Sequence, residues 1–240
     1  SSTPHHRFSV HGSQGPLTLA LEASLSAPWT ILFGPSGSGK STLLRALAGL
    51  TPSLATTFDR HDPATSTWGP LQYTATQHRA LAYDPQQALL LPNLTVAENI
   101  RFPETLRDTP TANSLVPELT ELLQLNPLLP KRPQQLSGGE RQRVSLARAL
   151  AVPGAKLLLL DEPFAGLDRA LRDELLPHLQ AHLTTRSLPV LSVTHDPDEA
   201  LLLGAEVLRL NDGHLTAQGP AHQVLADEIT RLQRLLSANS

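Results

Sequence analysis

The chain has no cysteine and no methionine in 240 residues. Without cysteine there is neither a disulfide nor a thiolate metal site, as expected of a reducing compartment. Without methionine at position 1, the start at Ser1-Ser2-Thr3-Pro4-His5-His6 reads as trimmed, and nothing in it resembles a signal peptide. Aromatic residues are scarce, with two Trp, two Tyr and five Phe, so few rings are available to stack on a base. The longest apolar runs, such as Leu157 to Leu160, fall far short of the roughly 18 residues that cross a bilayer. The formal net charge is −3 and the 19 Lys and Arg are scattered, so no basic patch marks a nucleic-acid partner. Repeats at solenoid periods are also missing. The length suits one large α/β domain, or a core with a smaller lobe, and 21 prolines mark many short boundaries.

Against that background Gly34 to Thr42, GPSGSGKST, is the most informative stretch. It fits a phosphate-binding loop: Gly34, four residues, Gly39-Lys40, then the hydroxyl of Ser41. The apolar run Thr30-Ile31-Leu32-Phe33 before it reads as a buried strand, and residues 41–48 after it read as a helix. Glycines at 34, 37 and 39 let the backbone turn so tightly that successive N–H groups face a polyphosphate. Pro35, Ser36 and Ser38 complete the loop, and Thr42 lies in the helix whose positive dipole end adds to the attraction. Lys40 reaches the outer phosphates, and the Ser41 hydroxyl takes a place on Mg²⁺.

Ahead of this loop, alternating apolar residues in Phe8–Val10 and Leu17–Leu25 suggest strands forming a β-rich edge. Phe8 and His11 are the rings near enough in sequence to stack on adenine; His11 is the candidate, with an ordinary surface histidine as the alternative. Residues 51–80 mix Thr, Asp, Pro and His without period and read as loops with one or two strands around Leu71 to Ala75. Ala80 to Tyr83 reads as a buried strand, followed by Asp84-Pro85-Gln86-Gln87. Thr95 and Glu98 have capping-box spacing and open a helix. Pro110 to Ser114 is a breaker cluster, and residues 118–125 are amphipathic, with Leu115, Leu119, Leu122 and Leu123 on one face. Pro127, Pro130 and Pro133 impose an extended linker.

That linker ends in Leu136-Ser137-Gly138-Gly139-Glu140-Arg141-Gln142-Arg143. Ser137 and Glu140 again have capping-box spacing, so a helix runs from about Gly139 to Ala151. Two glycines and a serine hydroxyl at a helix start make either a second anion-binding terminus or an ordinary cap. Lys156 to Leu160 is an apolar strand ending in Asp161-Glu162-Pro163. In an open parallel sheet ligands collect at such ends, so Asp161 would orient Mg²⁺ directly or through water, and Glu162 would polarise an attacking water. Asp168 caps a helix with Leu171, Leu175, Leu179 and Leu183 on one face. Pro189 to Thr194 is another buried strand, and His195 at its end either touches a γ-phosphate or is a satisfied polar residue. Asp196-Pro197-Asp198-Glu199 opens a further helix. Asn211-Asp212-Gly213 reads as a hairpin turn, and Pro220 to Leu236 as one amphipathic helix.

The order of these features (phosphate loop, Gln86, LSGGERQR, LLLLDEP, FAGLD, VTHD) is similar to that of the nucleotide-binding subunits of ABC transporters, over about residues 8 to 225. Residues 92–100 and 194–201 most resemble importer ATPases of the molybdate, sulfate and sugar type. The resemblance implies an α/β P-loop NTPase core with an antiparallel β edge and an inserted helical subdomain. One domain would span 1–240, with 1–92 and 151–240 as catalytic core and 93–150 as signature subdomain, and without the C-terminal regulatory domain that many such ATPases append. It also implies roles: Gly34 to Thr42 on the phosphates, Ser41 and Gln86 on Mg²⁺, Asp161 as the outer Mg²⁺ carboxylate, Glu162 as general base, His195 on the γ-phosphate. Ser137, Gly138, Gly139 and Glu140 would serve the ATP of the opposite subunit, and Asp168 the loop that communicates across a homodimer formed with ATP. The implied partners are membrane permease subunits and, indirectly, a solute-binding protein, with the chain peripheral on the cytoplasmic face of the inner membrane. The cargo would be molybdate or another oxyanion. The alternative is an exporter, DNA-repair or translation ATPase; repair members carry long coiled-coil inserts and translation members two tandem copies, and neither is present. The sequence departs from the family in Pro85 before Gln86, in a neighbouring Gln87 that offers a second register, in the lack of a glycine-bearing strand pair over 51–79, and in His11 where a stacking aromatic usually stands.

Overall fold

A computed structural model describes residues 5–62, 64–70, 80–106 and 114–238. The chain divides into two compact units, Ser1–Arg79 with Leu191–Ser240, and Ala80–Val190.

In the first unit, strands β1 (His6–Gln14) and β2 (Leu17–Leu25) form an antiparallel pair, extended by β4 (Ala55–Asp62) and β5 (Thr67–Pro70) in the order β2-β1-β4-β5. Alternation does the work: Phe8, Val10, Leu19, Leu21 and Phe58 are buried while their neighbours face out. Strand β3 (Trp29–Phe33) is buried along its whole length and pairs in parallel with β9 (Glu206–Asn211), as continuous apolar strands do when both faces are covered. Strand β8 (Val190–Val193) is the other neighbour of β3, and β10 (His214–Pro220) closes the edge beside β9. Helix α1 (Lys40–Leu47) follows β3 through the glycine loop.

In the second unit, β6 (Leu81–Asp84) lies parallel to β7 (Leu157–Asp161), with Asp84 opposite Leu160. Helix α2 (Val96–Thr105) starts from a complete Thr95–Glu98 capping box, and α4 (Gly138–Leu150) from a complete Ser137–Glu140 one. Between them α3 (Val116–Leu122) buries Leu119 and, just beyond it, Leu123. Helix α5 (Arg169–Thr185) is capped by Asp168 and buries Leu175, Leu176, Leu179 and Leu183. In the first unit again, α6 (Pro197–Leu202) is capped by Asp196, and α7 (Ala221–Val224) and α8 (Ala226–Ala238) end the chain.

Three expectations from sequence need correction or fall away. The prolines of 127–133 do not hold an extended linker: Asn126–Leu128 and Pro133–Gln135 are 3₁₀ turns, because Pro127 and Pro133 sit in their first turns, where a missing N–H costs nothing, while Leu128 and Pro133 are buried. The tail is two helices and not one. Leu225 is fully buried at the break, where Arg209 takes the Val224 carbonyl at 3.1 Å and pairs with Glu228. The strands in the stretch that looked least regular are β4 and β5, and the strand expected around Leu71 to Ala75 lies outside the described residues.

The turn between β9 and β10 packs against the glycine loop. Gly213 N–H donates to Ser38 O at 3.2 Å, and Ala20 N–H donates to Gly213 O at 3.0 Å. Gly213 has a φ of +76°, and a Cβ there would lie 1.8 Å from Thr18 O, so only glycine fits.

Candidate functional site

The first unit carries the loop that follows β3. Pro35, Ser36 and Gly37 are exposed at its mouth, while Ser38, Gly39 and Lys40 are buried beneath. The base of the loop is tight: at Gly34 (φ +154°) a Cβ would meet Leu210 O at 2.1 Å. The Lys40 ammonium is held in the loop by Gly34 O and Pro35 O, both at 2.8 Å. A cation within a glycine-rich turn at a helix start is an arrangement that suits a polyphosphate. Ser41 and Thr42 open α1 half-buried. Two further residues named from sequence lie in the same unit. His195 is exposed just after β8, where Thr194 N–H donates to Leu32 O at 3.4 Å and the Thr194 hydroxyl accepts from Asp196 N–H at 3.1 Å. Those bonds set the strand end beside that of β3, which leads into the loop. His11 is on the exposed face of β1, its Nε2 3.8 Å from a Glu22 carboxylate oxygen.

The second unit brings two other candidates together. Gln86, and not its neighbour Gln87, reaches the carboxylate just past the end of β7: its Nε2 donates to Glu162 Oε2 at 3.2 Å. The amide oxygen is then the end of Gln86 left for a cation. Glu162 has a φ of +52°, a left-handed conformation that costs a non-glycine residue on the order of 1–2 kcal/mol. The turn is closed by Ala165 N–H donating to Glu162 O at 3.1 Å. Asp161, one residue earlier, is buried. At the start of α4, Glu140 N–H donates to the Ser137 hydroxyl at 3.2 Å, and Ser137 N–H donates to the Glu140 carboxylate at 2.7 Å; the second of these holds the Glu140 carboxyl below the usual range. A Cβ at Gly139 would approach Gly166 O at 2.9 Å, so this helix start touches the loop that ends in Asp168, whereas Gly138 faces open space. Asp168 itself accepts from Leu171 N–H at 2.9 Å.

The donor types suit Mg²⁺. Ser41 in the first unit, and Gln86 and Asp161 in the second, carry side-chain oxygens of the kind a hard cation takes, and among the described residues no cluster of three His, Cys, Asp or Glu could hold a metal ion.

Sequence reasoning passed over Asp84. It ends β6, is 1% exposed, and accepts a short hydrogen bond from the Ser145 hydroxyl on α4. Burial raises its carboxyl from 3.8 to about 7, against the lowering pull of Ser145 and Arg148, and with Asp161 adding to the rise. The signal that was available is an acid closing an otherwise apolar strand. In the first unit, burial, with His5 and Arg60 adding, lowers His6 from 6.5 to about 3. These two groups bias stability in opposite directions. Between 3.8 and 7 the folded state binds the Asp84 proton more tightly than the unfolded chain, so this contribution falls as pH rises; between 3 and 6.5 the unfolded chain binds the His6 proton more tightly, so that contribution rises. Asp84→Asn should therefore leave the rising term alone, and its melting temperature relative to wild type should climb from pH 4 to 7 without Mg²⁺ or nucleotide. Parallel profiles for the two proteins would show that Asp84 does not hold its proton.

Residues 24–165, more than half of the chain, match the family model described as ABC transporter. The chain belongs to the ABC transporter family. It is 41% identical over 214 residues to a molybdenum import ATP-binding protein of Thiobacillus denitrificans, covering 86% of this chain and 57% of that protein. It is also 41% identical over 212 residues to one of Methylococcus capsulatus, covering 86% and 58%. The chain thus spans little more than half the length of these relatives. A solved dimeric ATP-binding cassette, in a post-hydrolysis state bound to ADP and Pi, aligns with a TM-score of 0.75 over 90% of this chain and 98% of its own, at 24% identity. That likeness shows the fold, the α/β cassette of ABC ATPases. No helix among the described residues of this ABC family member is long and apolar enough to cross a membrane.

Proposed function

We propose that this chain is the ATP-hydrolysing subunit of an importer for molybdate or another oxyanion, driving solute through a separate membrane permease. The observation that carries the hydrolytic part is the Gln86–Glu162 hydrogen bond, which ties an amide to a carboxylate at the end of an apolar strand. The importer part draws on relatives named as molybdenum import ATP-binding proteins. The family offers exporters and non-transport ATPases as rivals; those relatives favour import.

In this reading Gly34 to Thr42 wraps the phosphates, and Lys40 exchanges its two carbonyl partners for β- and γ-phosphate oxygens. Glu162 takes the proton of the attacking water while Gln86 steadies its carboxylate, and the φ of +52° aims that side chain. His195 donates to the γ-phosphate, and His11 lies under the base. Mg²⁺, when bound, neutralises charge on the β- and γ-phosphate oxygens; Ser41, Gln86 and Asp161 would hold it. Ser137 to Gly139, with Glu140 as capping partner, serve the ATP of a second copy, and Asp168 shapes the loop beside them, so two copies close head to tail on two ATPs. The segment after Gln86, where Leu89 is 64% exposed, receives a short permease helix. The chain then sits peripherally on the cytoplasmic face of the inner membrane, and 93–150 moves as its helical subdomain.

The test is reconstitution with the membrane subunit that co-purifies with the chain and with its binding protein. Vesicles loaded with ATP should accumulate molybdate, and molybdate with binding protein should raise the rate of ATP hydrolysis. Hydrolysis without any co-purifying membrane subunit would reject the importer reading and leave the ATPase.

A further inference from the structure

The Gln86 segment is laced to the helices of its own unit on both sides. Two residues before Gln86, the Asp84 carboxylate accepts from Ser145. Three residues after it, Leu89 O accepts from an Arg148 guanidinium N–H at 2.7 Å. Ser145 and Arg148 are three apart on α4 and therefore share one face. The chain beyond is fixed as firmly. Asn99 of α2, fully buried, accepts from Leu91 N–H and donates to the carbonyls of Leu91, Leu94 and Thr95. Gln134 donates to Pro92 O at 3.1 Å.

These are costly contacts to maintain for packing alone. Asp84 Oδ2 is buried with no hydrogen-bond partner among the described residues, and burial pulls the Arg148 guanidinium down while Asp84 holds it up. A buried acid beside a partly desolvated cation is weak evidence for stability; an apolar pair of like volume packs as well. What the pair does provide is a fixed place for both ends of the segment whose middle residue touches Glu162. The face that grips it lies seven to ten residues along α4 from Gly138, a span on the order of 10–15 Å of straight helix.

We propose that Ser145 and Arg148 are positioning residues for Gln86, holding its amide on Glu162 and making the Gln86 segment and the Ser137–Gly139 helix start move as one piece. The inference rests on the ATPase reading above. Neither residue touches nucleotide; each acts through Gln86.

The test is a double-mutant cycle on the full chain, read by steady-state ATP hydrolysis and its Mg²⁺ dependence. Arg148→Met should lower kcat about 10- to 100-fold, as a displacement of about 1 Å does, raise the Mg²⁺ concentration for half-maximal turnover, and leave the KM for ATP unchanged. Ser145→Ala should do the same to a smaller degree, and Arg148→Lys should recover part of the loss. In a Gln86→Ala background, Arg148→Met and Ser145→Ala should have almost no further effect, because the group they position is gone. Effects that multiply in that background overturn the proposal, as do wild-type kcat and Mg²⁺ dependence in both single variants. If Arg148→Met does not fold, Ser145→Ala completes the cycle. Absence of hydrolysis by the wild-type chain itself would instead remove the ATPase reading, which keeps the two failures apart.

Discussion

Glu162→Gln is expected to keep ATP binding, lower turnover about 10²–10⁴-fold, as loss of a general base does, and let an ATP-bound dimer accumulate. The replacement is nearly isosteric and retains an oxygen to accept from Gln86 Nε2, now 3.2 Å from the carboxylate. It keeps the same left-handed backbone demand at 162 and leaves the Lys40 cradle untouched in the other unit. What it loses is the ability to take a proton from water. Single-turnover hydrolysis together with gel filtration in ATP separates the two consequences: slow chemistry and a persistent dimer. Near-normal turnover would remove Glu162 from the role of base.

Gly138→Asp is expected to abolish ATP-driven dimerisation while the single chain folds and binds nucleotide as before. A Cβ at Gly138 meets no atom within 4 Å, unlike one at Gly139, so the fold has room for the side chain. An aspartate in the first turn of α4 also suits the helix dipole, which favours negative charge there by about 0.3–1 kcal/mol. The same carboxylate would face the γ-phosphate of an ATP brought by a second copy, and like charges at a desolvated contact repel by more than the dipole offers. The variant should therefore melt at or above the wild-type temperature yet remain monomeric with the Glu162→Gln background and saturating ATP. A dimer that still forms would show that Gly138 faces no nucleotide.

The two assignments differ in how they could be read from residues alone. Caps were legible because they are local: Thr95, Ser137, Asp168 and Asp196 each accept from a backbone N–H two or three residues on, and the spacing prints that bond in the sequence. The wholly buried strands were legible because continuous apolar runs have few other uses. Strands β4 and β5 were not, because their support comes from far along the chain. Arg7 pairs with Asp59 at 2.9 Å and lies 4.4 Å over the Trp68 ring, and the Ser9 and Thr57 hydroxyls meet at 2.7 Å. Cross-strand pairs of that kind give a polar segment such as TTFDRHD its β structure without any period of its own. Asp84 failed for the same reason: its partner Ser145 lies 61 residues away.

The Gly213 turn has a practical side. Hairpin tips are where tags, labels and inserted domains are usually tolerated, since little depends on them. This tip is the exception, because its one N–H supports Ser38 in the glycine loop and its α-carbon has no space for a substituent. An epitope placed between β9 and β10 would report on the glycine loop it had just loosened. The exposed turn at 64–66, between β4 and β5, offers an attachment point that leaves that support in place.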